Sequence, residues 1–186
     1  NTLQQVDQDA AAKESLNAVI SMTQKPLEES RRIMADLRPS MLDDLGLIVT
    51  ISWLCKRFRE AHPQITVDTR IELEEDAISD HLKLVVFRVL QEALENVAKH
   101  SGASRVKLSL FREGTEILLT VRDDGGGFDL KEALARDENK RGLGLASMKE
   151  RVMLSGGVFT LESMEGIGTT IHASWAVRDV EKATPQ

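Results

Sequence analysis

Two pairs of alternating segments in the second half of the chain limit what it can fold into. Residues 105–111 and 116–122 alternate apolar and polar side chains on either side of Glu113-Gly114, and residues 158–163 and 169–175 do so around Glu165-Gly166. A period of two places alternate side chains on one face of a strand, and a short glycine turn lets consecutive strands pair antiparallel. Both pairs are expected to be β-hairpins. Residues 65–73 alternate too, with Ile65, Val67, Thr69, Ile71 and Leu73 on one face. The other apolar segments recur at helical spacing and are kept apart from the hairpins. That order predicts an α+β fold: a two-layer α/β sandwich with a mixed, largely antiparallel sheet and its helices on one face.

Four helices are expected. The first covers residues 9–38, where Leu16, Ile20, Thr23, Leu27, Ser30, Met34 and Leu37 recur at alternating steps of four and three. This is a heptad seam, and Val19, Met22 and Ile33 add a second apolar strip. Pro26 should kink the helix and Pro39 should end it. Two strips on one long helix favour dimerisation through it over packing on its own domain. Ser40 or Asp43 could cap a second helix to about Ala61, with Leu47, Ile51, Leu54 and Phe58 inward. A third helix is expected over 79–100, ended by Ser101-Gly102, and a fourth over 145–154. The expected division is a partial dimerisation helix at 1–38, a nucleotide-binding domain at 39–178 and a polar tail at 179–186.

Charge and cysteine content exclude several classes of function. The net charge is -6, which argues against non-specific nucleic-acid or anionic-membrane binding. The single cysteine, Cys55, rules out an internal disulfide and reads as a small core residue in a reducing compartment. No apolar run reaches bilayer length and no signal peptide is evident, so a cytoplasmic location is expected, with a parent protein that could still be membrane-anchored. The chain opens at Asn1, without methionine and in a helical pattern, as expected for a piece of a longer protein.

Four segments carry candidate chemistry. On the third helix Arg88, Glu92, Asn96 and Lys99, with His100 beside it, share a face at steps of four, four and three. A carboxylate, an amide and cations near a helix end suit a magnesium–phosphate group, although such a face is also common as a solvated one. DDGGGF at 123–128 follows a strand, where glycine permits close backbone approach to a ligand or simply a tight turn. RGLGL at 141–145 precedes a helix, whose amino-terminal amides favour anions. It is neither a Walker loop nor a dinucleotide fingerprint. GIGTT at 166–170 opens the last strand.

In this order and spacing, the four segments resemble the boxes of the GHKL (Bergerat-fold) ATP-binding superfamily, over roughly residues 41–177. The junction LRPSMLDDLGL at 37–47, QEALENVAKHS at 91–101 and MKERV at 148–152 are similar to the nitrate-sensor and lipid-sensor (HisKA_3-type) sensor histidine kinases. The resemblance implies ATP and Mg2+ as cofactors. Asn96 would ligate the metal and Glu92 would order it and its waters. Lys99 and His100 would lie near the phosphates, and Asp123 would bind the adenine amino group. Gly125 and Gly127 would shape the pocket. Gly142 and Gly144, with Leu143 and Leu145, would wrap the phosphates, Thr169 would support the adenine end, and residues 129–140 would form a lid.

The resemblance also implies phosphoryl transfer to a histidine and then to the aspartate of a response-regulator receiver domain, within a homodimer. Here the match stops. That subfamily carries its acceptor in a His-Asp motif on an earlier helix, and His62, His81, His100 and His172 lie in no such motif. The chain is therefore expected to bind ATP without phosphorylating itself, through truncation or through degeneration. Two readings compete: a GHKL ATPase with Glu92 as general base, and a non-catalytic dimerisation or docking module.

Overall fold

The computed structural model describes residues 40–129 and 143–176. The chain divides into two units at Ser40–Met41, and all described residues except Ser40 belong to the second. The expected heptad helix, the lid segment from residue 130 onward and the polar tail lie outside the described residues, as do Arg141 and Gly142.

The elements run α1 (Ser40–Ala61), β1 (Thr66–Glu72), a 3-10 turn (Glu75–Ala77), α2 (Asp80–Asn96), a π turn (Val97–Ser101), β2 (Arg105–Glu113), β3 (Glu116–Asp123), α3 (Leu143–Leu154), β4 (Val158–Met164) and β5 (Gly168–Ala176). The sheet order is β1-β2-β3-β5-β4. The β1–β2 pair is parallel and the other three are antiparallel. Both hairpins form, turning where Gly114 and Gly166 take φ of 58° and 75°. The expected α+β sandwich is borne out.

Alternation decides which sheet face is covered. Val106, Leu108, Leu110, Ile117, Leu119, Val121, Ile171, Ala173 and Trp175 are buried in one core with Val86, Val89, Leu90 and Leu94 of α2 and Met148 and Val152 of α3. The intervening residues lie on the other face, where Lys107, Arg122 and His172 are exposed and Ser109, Leu118 and Thr120 are half-buried. Cys55 is buried, as expected, and burial pushes its thiol pKa up. On β1 the expected inner face is incomplete, since Thr69 is exposed and only Val67 is fully buried within the strand. An edge strand has a neighbour on one side alone.

Two departures concern helix ends. The second helix is interrupted at Gly46, with φ 79° and ψ 177°. The helical run beyond it is capped from a distance: the Glu75 carboxylate accepts from Leu47 N–H at 2.8 Å and Ile48 N–H at 3.2 Å, and Lys83 bridges Glu75 and Asp80 at 3.1 and 3.2 Å. The helix begins at Ser40 with Asp43 in its first turn, and the interruption at Gly46 adds an inner terminus at Leu47 that Glu75 serves. The third helix starts as expected, with Ser79 accepting from Leu82 N–H, but its last turn widens into the π turn. Gly102 ends it at φ 61°.

Candidate active site

Three elements converge on one site: the end of α2, the loop after β3 and the start of α3. The π turn matters first. It follows Asn96 and brings Ser101 to the glycine loop, where the Ser101 carbonyl accepts from Gly126 N–H at 2.7 Å. Single π turns are frequent at functional sites because they re-aim neighbouring side chains.

The two aspartates that open the loop separate in role. Asp124 faces outward and braces the loop: its carboxylate accepts from Ser104 N–H, Ser104 Oγ–H and Arg105 N–H, each at 2.8 Å. These bonds hold its pKa below the usual carboxylate range, the Arg105 amide contributing most. Asp123 turns inward and is 6% exposed. Its Oδ1 accepts from Gly125 N–H at 2.9 Å. Burial raises its pKa, against the amides of Gly125 and Thr169, which lower it. A buried carboxylate shifted by desolvation in this way marks a functional candidate.

The glycines around Asp123 are required sterically. A β-carbon at Gly125 would collide with the Ser101 carbonyl and the Asp123 carboxylate. One at Gly127 would strike the Met164 carbonyl, and one at Gly168 the Asp123 carbonyl. The β4–β5 turn is thus fitted against the loop, with Gly166 N–H donating to the Gly126 carbonyl at 2.6 Å.

At the other end, Glu92 is partly buried beneath the first turn of α3. A β-carbon at Gly144 would overlap Glu92 Oε1 and come within 3.5 Å of Asn96 Nδ2. Burial raises the Glu92 pKa and Glu95 adds to the effect, while Lys99, Arg151 and His100 oppose it. Asn96 Nδ2 is buried without a hydrogen-bond partner, alone in this among the side-chain polar atoms of the described residues. An orphaned buried amide is costly in an isolated domain. In either orientation of the amide, the environment suits a phosphate oxygen or a hard cation. Among the described residues no three carboxylate, histidine or cysteine side chains form a metal cluster. A divalent ion here would draw most of its ligands from phosphate and water.

The expected site residues are thus placed unevenly. Glu92, Asn96 and Gly144 meet at one end, and Asp123, Gly125, Gly127 and Thr169 at the other. Leu145 packs against the core edge. Leu143 opens α3 by its backbone, and its side chain is not among those described. Lys99 reaches Glu95 at 2.9 Å, so its amine is engaged at the surface, and His100 is exposed. Arg88, expected on the polar face, is 7% exposed and donates to Gln91 at 2.7 Å. His172 is hydrogen-bonded to Thr120 at 3.0 Å, and His62 lies against Phe58.

Sequence reading missed Ser163. It faces Thr169 across the β4–β5 ladder, 2.9 Å between hydroxyl oxygens, and accepts from Phe128 N–H at 3.0 Å. Its seat opposite Thr169 in the hairpin was the signal available.

The sequence profile of histidine kinase-, DNA gyrase B- and HSP90-like ATPases matches residues 81–179. The chain is 38% identical over 167 residues to the signal transduction histidine-protein kinase/phosphatase DegS of Brevibacillus brevis, covering 89% of this chain and 41% of that protein. It is 34% identical over 176 residues to the sensor histidine kinase LiaS of Bacillus subtilis, covering 95% and 47%. The chain thus spans less than half the length of these relatives. The fold superimposes on the Acinetobacter baumannii histidine kinase AdeS with a TM-score of 0.61 at 15% identity, over 89% of this chain and 84% of that one. No helix among the described residues is long and apolar enough to cross a membrane. The chain belongs to the histidine kinase-, DNA gyrase B- and HSP90-like ATPase family, and the relatives it matches over part of their length are sensor histidine kinases.

Proposed function

We propose that this chain holds Mg-ATP for phosphoryl transfer to a histidine on a dimerisation helix of the parent protein, and onward to a receiver-domain aspartate. Asp123 accepts from the adenine amino group inside the glycine frame. Asn96 and Glu92 face the phosphates and the magnesium ion they carry, and the first turn of α3 at Gly144 offers amides to phosphate. The metal supplies charge neutralisation at the transferred group, and the chain supplies orientation. The observation that carries this reading is the buried, partnerless Asn96 amide beside Glu92 and Gly144. A cytoplasmic location for this part and a homodimeric parent belong to the same reading, with dimerisation through residues 9–38.

The raised basicity of Glu92 also suits a general base for water, which keeps an ATPase as the second reading. The test is a phosphate-release assay on this chain with Mg-ATP bound. Binding without turnover supports the kinase part. Steady turnover that Glu92→Ala abolishes would assign the ATPase.

A further inference from the structure

We propose that β4 is an interaction edge that pairs with β4 of a second copy of this chain, antiparallel and centred on Leu161. The inference goes beyond the nucleotide reading and does not depend on it. β4 ends the sheet, and among the described residues it pairs with β5 alone. An open edge presents unpaired amides and carbonyls to any strand that fits, and soluble domains guard such edges with charge, proline or a bulge. β1, at the opposite edge, is guarded: Asp68, Arg70 and Glu72 are three of its seven residues, and Arg70 and Glu72 are ion-paired at 2.7 Å. β4 reads VFTLESM, with Glu162 its one charge, no proline, and an unbroken register to β5 from Val158 to Met164. Exposed apolar surface gathers around the same edge. Val158 is 65% exposed and Met164 61%, at the two ends of the strand. Met153 and Leu154 at the end of α3 and Ile167 in the β4–β5 turn are exposed as well.

The strand is complementary to itself, which selects a second copy as the occupant. Directly opposed residues of an antiparallel pair share a face, so a two-fold axis stands on one residue of the strand. Centred on Leu161, all seven residues pair: Val158 lies opposite Met164 of the second copy, and Thr160 opposite its Glu162. Each end of the ladder then buries an exposed apolar pair, and each carboxylate meets a hydroxyl. Centred on Glu162 instead, two carboxylates would face each other. Centred on Thr160, Val158 would face a carboxylate. Val158 also lines an open groove on the outer face of the sheet with Phe111, Leu118 and His172, and Met164 of the second copy would cover that apolar wall.

The test is disulfide cross-linking of the full chain under a mild oxidant, comparing Val158→Cys, Met164→Cys and the Val158→Cys/Met164→Cys double variant. In the proposed register the two positions face each other across the interface with Cα atoms about 4.5–5.5 Å apart, within disulfide reach. Within one chain they are six residues apart along a strand, about 20 Å, and cannot join. Like positions of the two copies are separated by the same span, so neither single variant should link. Cys55 is 1% exposed and does not compete. The double variant is expected to form covalent dimer about tenfold or more faster than either single variant, with the bond mapped between positions 158 and 164. The readout holds whatever other segment of the chain also dimerises. Equal rates in the double and single variants would mean random encounter or another register, and would overturn the proposal. Absence of covalent dimer in all three would show that the edge does not pair with a second copy. If the double variant folds poorly, a mixture of the two single variants offers the same pair of positions, and failure of that mixture to link decides against the proposal.

Discussion

Glu92 and Gly144 lie so close that no β-carbon fits between them. The contact seats the Glu92 carboxylate beneath the first turn of α3, with Asn96 Nδ2 the next nearest group to that position. Gly144→Ala is expected to displace the Glu92 carboxylate from beneath the first turn of α3 and weaken Mg-ATP at least tenfold, with the far-UV circular dichroism spectrum unchanged. Calorimetry on the variant measures this. Native affinity would show that Glu92 yields without consequence.

Asn96→Ala separates metal from nucleotide. Because its Nδ2 is buried and unpartnered, losing that group should not destabilise the empty domain. It is expected to weaken Mg-ATP about tenfold or more while leaving ATP in chelator nearly unchanged. Equal losses with and without magnesium would remove the proposed metal role.

The Glu92 pKa is raised, first by burial. A carboxyl whose folded pKa exceeds its unfolded value stabilises the fold at acid pH, and that contribution is lost as pH rises through the folded value. Glu92→Gln, which carries no charge at any pH, is therefore expected to raise the Tm of the nucleotide-free chain modestly at pH 7. The gain should vanish below about pH 4, near the unfolded carboxyl pKa. A Tm difference that does not change with pH would contradict the assignment.

Glu75 behaves oppositely. Burial disfavours its charge, but the Leu47 and Ile48 amides and Lys83 outweigh burial and hold its pKa below the usual value. Its contribution is present above the unfolded pKa and is lost as pH falls through the folded one. Glu75→Ala is expected to cost about 1–2 kcal/mol at pH 7, a Tm loss of roughly 3–8 °C, as for other lost caps. Thermal melts at neutral and acid pH would show the deficit shrinking on acidification, and an equal deficit at both would rule out a charged cap.

Much of this was legible in the sequence because it rests on local pattern. The hairpins followed from alternation and glycine turns, and the site's two ends from the order of four short boxes. What escaped depends on contacts between distant residues. The Glu75 cap joins positions 28 apart, and a break at Gly46 is visible only once φ is known. Arg88 matched the polar period of α2, yet packing buries it, because periodicity gives a face and not its depth. In DDGGGF only the resemblance singled out Asp123 from its neighbour, and the structure supplies the physical reason, with Asp123 inward and Asp124 bonded to Ser104 and Arg105.

Titration of the native chain and Asp123→Asn with Mg-ATP tests the central claim most directly. The native chain should bind, and the variant should bind at least tenfold more weakly with its fold intact by circular dichroism. Equal affinities, or no binding by the native chain, would contradict a nucleotide site built around Asp123.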